Sequence, residues 1–256
     1  MLRTRVIPIL LLKGGRMVKP VRFGEGQERD VGAPVTTARI YDSQDADELV
    51  FLDIEATADG RAFLLATLKE VAKNCFVPLT AGGGVRTLDD FREILKAGAD
   101  KVSVNTAAVE NPDLIAKAAA MFGAQAVVVA IDVRKDAKGK YEVYTHGGKT
   151  ATGLDPVAWA KKAAGAGAGE ILLTAIDREG TMEGYDIALI KSVADAISIP
   201  LIAHGGAGTR QHFVEALREG HASAAAAASV FHFSDSNLSQ VKNFLFNAGV
   251  PVRPIN

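Results

Sequence analysis

Pro78-Leu-Thr-Ala-Gly-Gly-Gly84 and Pro200-Leu-Ile-Ala-His-Gly-Gly206 are two versions of one pattern, 122 positions apart. Each is a short apolar run that ends in a glycine-rich turn and leads into an amphipathic stretch. The match continues at the same offset through Thr87/Thr209, Phe91/Phe213, Glu93/Glu215, Leu95/Leu217 and Gly98/Gly220, and Glu48/Glu170 and Ile54/Ile176 precede it. An offset near half the chain means two related halves, approximately residues 1–122 and 123–256. Solenoid repeats have far shorter periods.

Working outward, six more apolar runs join the two in the repeat. The full set is Arg5–Leu11, Glu48–Ile54, Val77–Ala81, Lys101–Val104, Ala126–Asp132, Glu170–Ile176, Pro200–Ala203 and Ser223–Ala228. Continuous apolar runs of this length suit parallel strands buried on both faces. The intervening segments carry helix starts: Thr87-Leu-Asp-Asp90 reads as a capping box, and Asn111-Pro112 and Asp155-Pro156 each place an N-cap before a first-turn proline. Ala222–Ala228, alanine with one serine, has helix propensity, but the repeat aligns it with Asp100–Thr106 and makes it the eighth strand. Eight βα units predict an α/β fold, a single (β/α)8 TIM barrel of two (βα)4 halves. An open doubly wound sheet is the alternative, and eight even units argue against it.

Composition agrees with one large domain. The chain has 256 residues, 48% hydrophobic and 23% charged, with net charge -1. That balance points to neither nucleic acid nor an anionic membrane as a partner. A single cysteine, Cys75, excludes an internal disulfide and fits a cytoplasmic location. The apolar run Val6–Leu12 is too short to span a membrane.

The chemistry is expected at the C-terminal ends of the strands. Gly82-Gly83-Gly84 and Gly205-Gly206-Ala207-Gly208 each follow a strand and precede a helix, where bare backbone N–H groups can approach a phosphate. Asn105-Thr106 and Ala228-Ser229 end the next strands and complete two cradles, which implies a ligand with a phosphate at each end. Tight turns alone would also use these glycines. Asp53, Asp132 and Asp177 stand at strand ends, where a carboxylate can move protons or cap a loop. Asp132 is the catalytic candidate by its place in the repeat. At the opposite end Arg5, Glu48, Lys101 and Glu170 open four strands, two bases and two acids near the axis. They form a salt-bridged plug or a gate for a small molecule. The five histidines lack metal-ligand spacing, so no metal or cofactor is expected. His204 is notable for adjoining the second glycine turn.

The chain resembles, over nearly its whole length, the cyclase subunit of imidazole glycerol phosphate synthase. The resemblance rests on Asp47-Glu-Leu-Val-Phe-Leu-Asp53, Gly82-Gly-Gly-Val-Arg86, Asn105-Thr-Ala-Ala-Val-Glu-Asn-Pro112, Val127-Val-Val-Ala-Ile-Asp132, Gly169-Glu-Ile-Leu-Leu-Thr174 and Gly205-Gly-Ala-Gly208. It implies a barrel that takes ammonia from a separate glutaminase subunit on its N-terminal face, as a heterodimer. It implies a phosphorylated substrate, a bisphosphorylated aminoimidazole-carboxamide ribonucleotide, whose imidazole ring is closed. It assigns Arg5, Glu48, Lys101 and Glu170 to an ammonia gate and Asp100 to the docking surface. It places Lys19, Asp53, Gly83, Gly84, Asn105, Thr106, Thr174, Asp177, Gly180, Gly205, Gly206, Ala228 and Ser229 around the substrate.

The family uses two repeat-related aspartates as acid and base. Asp132 matches one. The other falls at position 11, which is Leu11. Gly14, Ala175 and Glu179 also depart from the family's usual aspartate, serine and aspartate. The pattern resembles second-copy paralogues linked to surface-polysaccharide synthesis, which implies ammonia delivery for sugar amidation with a sugar amidotransferase as a further partner. The other readings are a working cyclase in histidine biosynthesis, a non-catalytic activator of the glutaminase, and, weaker, a phosphoribosyl isomerase of related build.

Overall fold

The computed structural model describes residues 3–24 and 28–253. Eight parallel strands close on themselves: β1 (Arg5–Lys13), β4 (Leu49–Asp53), β5 (Leu79–Gly82), β6 (Lys101–Val104), β7 (Val127–Lys135), β10 (Glu170–Ala175), β11 (Leu201–His204) and β12 (Ala224–Ala227). They follow one another around the ring in that order, and β12 pairs with β1 to complete it. All eight expected strands are present, including the alanine strand. Propensity alone would have made that segment helical, but β12 is held between β11 and β1.

Helices α1 (Pro34–Ser43), α2 (Leu65–Ala72), α3 (Leu88–Lys96), α5 (Asp113–Phe122), α6 (Pro156–Gly165), α7 (Ile187–Ala194), α8 (Arg210–Arg218) and α10 (Leu238–Asn247) surround the strands, and the short α4 (Thr106–Glu110) and α9 (Ser229–Phe233) follow β6 and β12. Thr87 caps α3 in the expected box with Asp90, and Asp155 accepts the Ala158 N–H at 2.9 Å. The Asn111 expectation is corrected: α5 starts at Asp113, Pro112 takes the N-cap, and no side chain caps it. Asn111 instead closes α4, its N–H bonded to the Ala107 carbonyl.

Strand period two sorts every barrel side chain. Val6, Leu10, Leu12, Leu49, Phe51, Val127, Val129, Ile171, Leu173, Ala225 and Ala227 belong to the large cluster shared with the helices. Ile7, Ile9, Leu11, Val50, Val128, Ala130, Leu172, Ile202, Ala224 and Ala226 form a separate inner cluster, the plug of the barrel. Parity then points Arg5, Glu48, Lys101 and Glu170 to the axis at one end of this plug, and Asn105, Asp132, Thr174 and His204 at the other.

Two features of the loops lay outside the sequence reading. β2 (Arg16–Lys19) and β3 (Arg29–Gly32) form an antiparallel extension of β1, and β8 (Tyr141–Thr145) and β9 (Thr150–Ala151) extend β7 in the same way. Each half therefore raises a ribbon above the barrel mouth from its first strand.

Candidate active site

At the N-terminal end the four charges form a closed ring. Arg5 reaches Glu48 at 2.7 Å and Glu170 at 2.6 Å, and Lys101 reaches the same two carboxylates at 2.8 Å each. Thr80, fully buried, donates its hydroxyl to the remaining Glu48 oxygen at 2.6 Å. The ring leaves every charge paired, which is how a buried cluster offsets its loss of water. Thr80 was not anticipated, although its inward parity on β5 is readable. Beside the ring Asp100 is exposed, and it accepts the Leu79 N–H at 2.8 Å. It borders a surface cavity with Cys75, Phe76 and Gly98, where Phe76 is 88% exposed.

At the C-terminal end the register identifies the twin of Asp132. Thr174 lies opposite Asp132 on the neighbouring strand, and Leu52, the repeat partner of Thr174, lies opposite Leu11. Leu11 thus holds the equivalent place in the first half, and it is 5% exposed within the inner apolar cluster. No proton carrier stands there.

Asp132 itself sits in a polar row. The Asn105 amide donates to it at 2.7 Å, and Thr174, which also hydrogen-bonds it, meets His204 Nδ1 at 3.2 Å. Removal from water pushes the Asp132 carboxyl up to about 7, against the hydrogen bonds from Thr174 and Asn105 and with the charge of Glu179 adding to the rise. Such a group can hold or release a proton near neutral pH. Burial, reinforced by the Lys19 charge, drives His204 down to about 3 and His232 to about 4, so both imidazoles are neutral.

Lys19, at the end of β2, is buried against Glu179, with its Nζ also 3.0 Å from the Pro20 carbonyl. The second Glu179 oxygen is buried without a partner, as is Asn105 Oδ1. Glu179, noticed in the sequence only as a departure, is therefore central to the mouth. Gly180 allows this arrangement: at φ +76, a Cβ there would lie 2.9 Å from the Pro20 carbonyl. The Arg22 N–H closes the same contact on the Glu179 carbonyl at 2.9 Å.

The two glycine turns differ. In the first, a Cβ on Gly83 would meet the Asp53 carbonyl at 2.1 Å, one on Gly84 would meet the Arg61 carbonyl at 2.5 Å, and the Gly84 N–H bonds to the Thr57 hydroxyl at 3.2 Å. In the second, Gly206 at φ +105 packs on the Gly184 carbonyl, and a cavity opens between Gly205, Gly206, Ala228, Ser229, His204 and Glu179. Close packing alone requires glycine at these positions. Thr106 accepts the His146 N–H at 3.0 Å beside Asn105.

Asp53 and Asp177 do not join the polar row. Asp53 has the outward parity of β4. It takes both arms of Arg61, at 2.6 and 2.9 Å, and the loop amides of Glu55 and Ala56. Asp177 is half-exposed and accepts the Lys135 N–H at 2.9 Å. Both brace loops, the alternative weighed for a carboxylate at a strand end. Among the described residues no group of histidine, cysteine, aspartate and glutamate side chains could hold a metal, and no helix is long and apolar enough to cross a membrane.

Comparison with known proteins places this geometry. Residues 5–237 match the model of the family described as histidine biosynthesis protein. The chain is 54% identical over 255 residues to the imidazole glycerol phosphate synthase subunit HisF of Caulobacter vibrioides, covering 99% of this chain and 97% of that one. With the closed barrel, the axial ring and the Asp132 row in hand, the chain belongs to the histidine biosynthesis protein family, among the HisF-type cyclase subunits of imidazole glycerol phosphate synthase.

Proposed function

We propose that this barrel receives ammonia from a glutaminase docked on its N-terminal face and carries it along the axis to a phosphorylated acceptor at the mouth. The observation that carries this reading is the coaxial placement of the Arg5–Glu48–Lys101–Glu170 ring and Asp132, at opposite ends of one barrel. Ammonia is small and neutral, so it can pass a ring whose charges are satisfied by one another. An exposed Phe76 beside Asp100 offers an aromatic anchor with a polar neighbour for the docked partner. The two glycine cradles, with Asn105, Thr106, Ala228 and Ser229, hold the acceptor's phosphates.

The acceptor follows from Leu11. With one carboxylate of a two-sided proton transfer replaced by leucine, ring closure loses about 10²–10⁴ in rate relative to a barrel that keeps both. Ammonia then serves amidation of a sugar in surface-polysaccharide synthesis, with a sugar amidotransferase as the third component. The second reading is ring closure by this barrel, as in histidine biosynthesis. It is favoured by the Asp132 row with its carboxyl near neutrality and by the unpartnered carboxylate oxygen of Glu179 in the same mouth.

Ring closure with ammonium salt and the bisphosphorylated ribonucleotide, measured on the wild type beside Leu11→Asp, tests the choice. A silent wild type and an active Leu11→Asp support sugar amidation. Comparable turnover by both supports the ring-closing reading and removes sugar amidation.

A further inference from the structure

The mouth holds one more buried carboxylate than the repeat supplies. Glu179 follows β10, which neighbours β7, the strand of Asp132. It is 1% exposed, its Oε1 is ion-paired with Lys19, and its Oε2 is buried with no hydrogen-bond partner. That second oxygen belongs to a side chain lining the cavity of the second glycine turn, with Gly205, Gly206, Ala228 and Ser229. A buried carboxylate oxygen without a donor is costly unless something supplies one. The charge of Glu179 is felt at Asp132, so the two carboxylates share one electrostatic environment.

We infer that Glu179 is the second acid/base of this barrel, taking over the proton transfer that a carboxylate at position 11 would perform. The inference rests on the ring-closing reading. Lys19 holds one oxygen and fixes the carboxyl, leaving the other without a partner, as a positioned base requires. The step it serves is addition of ammonia to a carbonyl carbon of the phosphorylated acceptor. The nitrogen lone pair forms the C–N bond and the carbonyl π pair moves to oxygen. That oxygen takes a proton from one carboxyl, and the new ammonium nitrogen gives one to the other carboxylate. A second proton delivered to the same oxygen releases water while the nitrogen gives a second proton to the other carboxylate, leaving the imine, so carbonyl plus ammonia becomes imine plus water. Burial raises the Glu179 carboxyl, and Lys19 and the Arg22 backbone N–H oppose that rise. The groups facing it are Lys19 from β2, Asp132 from β7 and neutral His204 from β11, with neutral His232 of α9 beyond Lys19.

The test is ammonium-driven ring closure by the full chain, with kcat, KM and the pH profile measured for wild type, Glu179→Gln, Glu179→Asp and the double variant Leu11→Asp/Glu179→Gln. On the ring-closing reading the expected result is an active wild type and a Glu179→Gln that loses about 10² or more in kcat at nearly constant KM, together with one limb of the pH profile. The double variant recovers activity because a carboxylate returns at the twin position. Glu179→Asp keeps the Lys19 ion pair but withdraws the carboxyl by one methylene, and it is expected to lose roughly tenfold. It remains informative if Glu179→Gln unfolds around an unpaired Lys19. An active wild type with unimpaired Glu179→Gln or Glu179→Asp overturns the inference alone. Loss in Glu179→Gln that Leu11→Asp does not recover makes Glu179 a structural partner of Lys19, and the inference fails. An inactive wild type removes the ring-closing reading itself, and the inference with it.

Discussion

The two ends of the barrel axis handle charge in opposite ways. At the N-terminal end two bases and two acids pair in a closed ring, and Thr80 satisfies the last carboxylate oxygen. At the C-terminal end Asn105 Oδ1 and Glu179 Oε2 are buried without partners, and Asp132 holds its proton far above the ordinary carboxylate range. The first end is complete as it stands. The second is complete only when something else supplies donors and acceptors. The difference separates a cluster whose polar atoms satisfy one another from one with buried polar atoms to spare more sharply than a count of charged residues does.

Asp132→Asn strikes the unsatisfied end, with the largest expected effect. Turnover should fall about 10²–10⁴-fold in an ammonium-driven assay. The same change should stabilise the protein. The Asp132 carboxyl keeps its proton up to about 7 when folded and sheds it near 4 when unfolded, so stability is fully present below pH 4 and is lost as pH rises through 7. Asparagine carries no such penalty, so melting curves should coincide near pH 4 and separate at pH 8, with the asparagine variant melting higher. A wild type that is the more stable at pH 8 would mean that the mouth is satisfied after all.

Glu48→Ala strikes the satisfied end. It leaves Arg5 and Lys101 facing one carboxylate and should cost about 3 kcal/mol in denaturant unfolding. Thr80→Val removes only the supporting hydroxyl and should cost about 1 kcal/mol. If both are neutral, the ring is not a cooperative network and the contrast between the ends collapses. Asp177→Ala, half-exposed at the rim and bonded to one amide with Arg134 at 3.7 Å, should stay within about 0.5 kcal/mol of wild type and leave turnover unchanged. A large effect there would extend the reactive mouth beyond the inward row.

Much of this was legible in the chain. The offset between the glycine turns, the eight apolar runs and the Thr87 and Asp155 caps each rest on local chemistry, and each appears in the fold. The four ring residues could be named because they open strands, and strand starts share one end of a parallel barrel. Thr80 escaped attention because a single threonine in an apolar run carries no signal until its parity is tied to that of Glu48. Asp53 was grouped with Asp132 because both end strands. Parity separates them, and Asp53 turns outward to Arg61. The ribbons β2–β3 and β8–β9 were missed because their residues carry no strong alternation. Their strands are paired to the projecting ends of β1 and β7.

The sequence by itself determined the barrel, its internal repeat, the Asp132 candidate and the leucine at position 11, since periodicity and residue identity are properties of the chain. Only the tertiary structure decided that Leu11 is the register twin of Asp132, that four distant charges close into one ring, and that Glu179 lies buried beside Lys19 with an oxygen to spare. Those facts depend on which strand neighbours which and on how far water is excluded, and no local stretch of sequence encodes either.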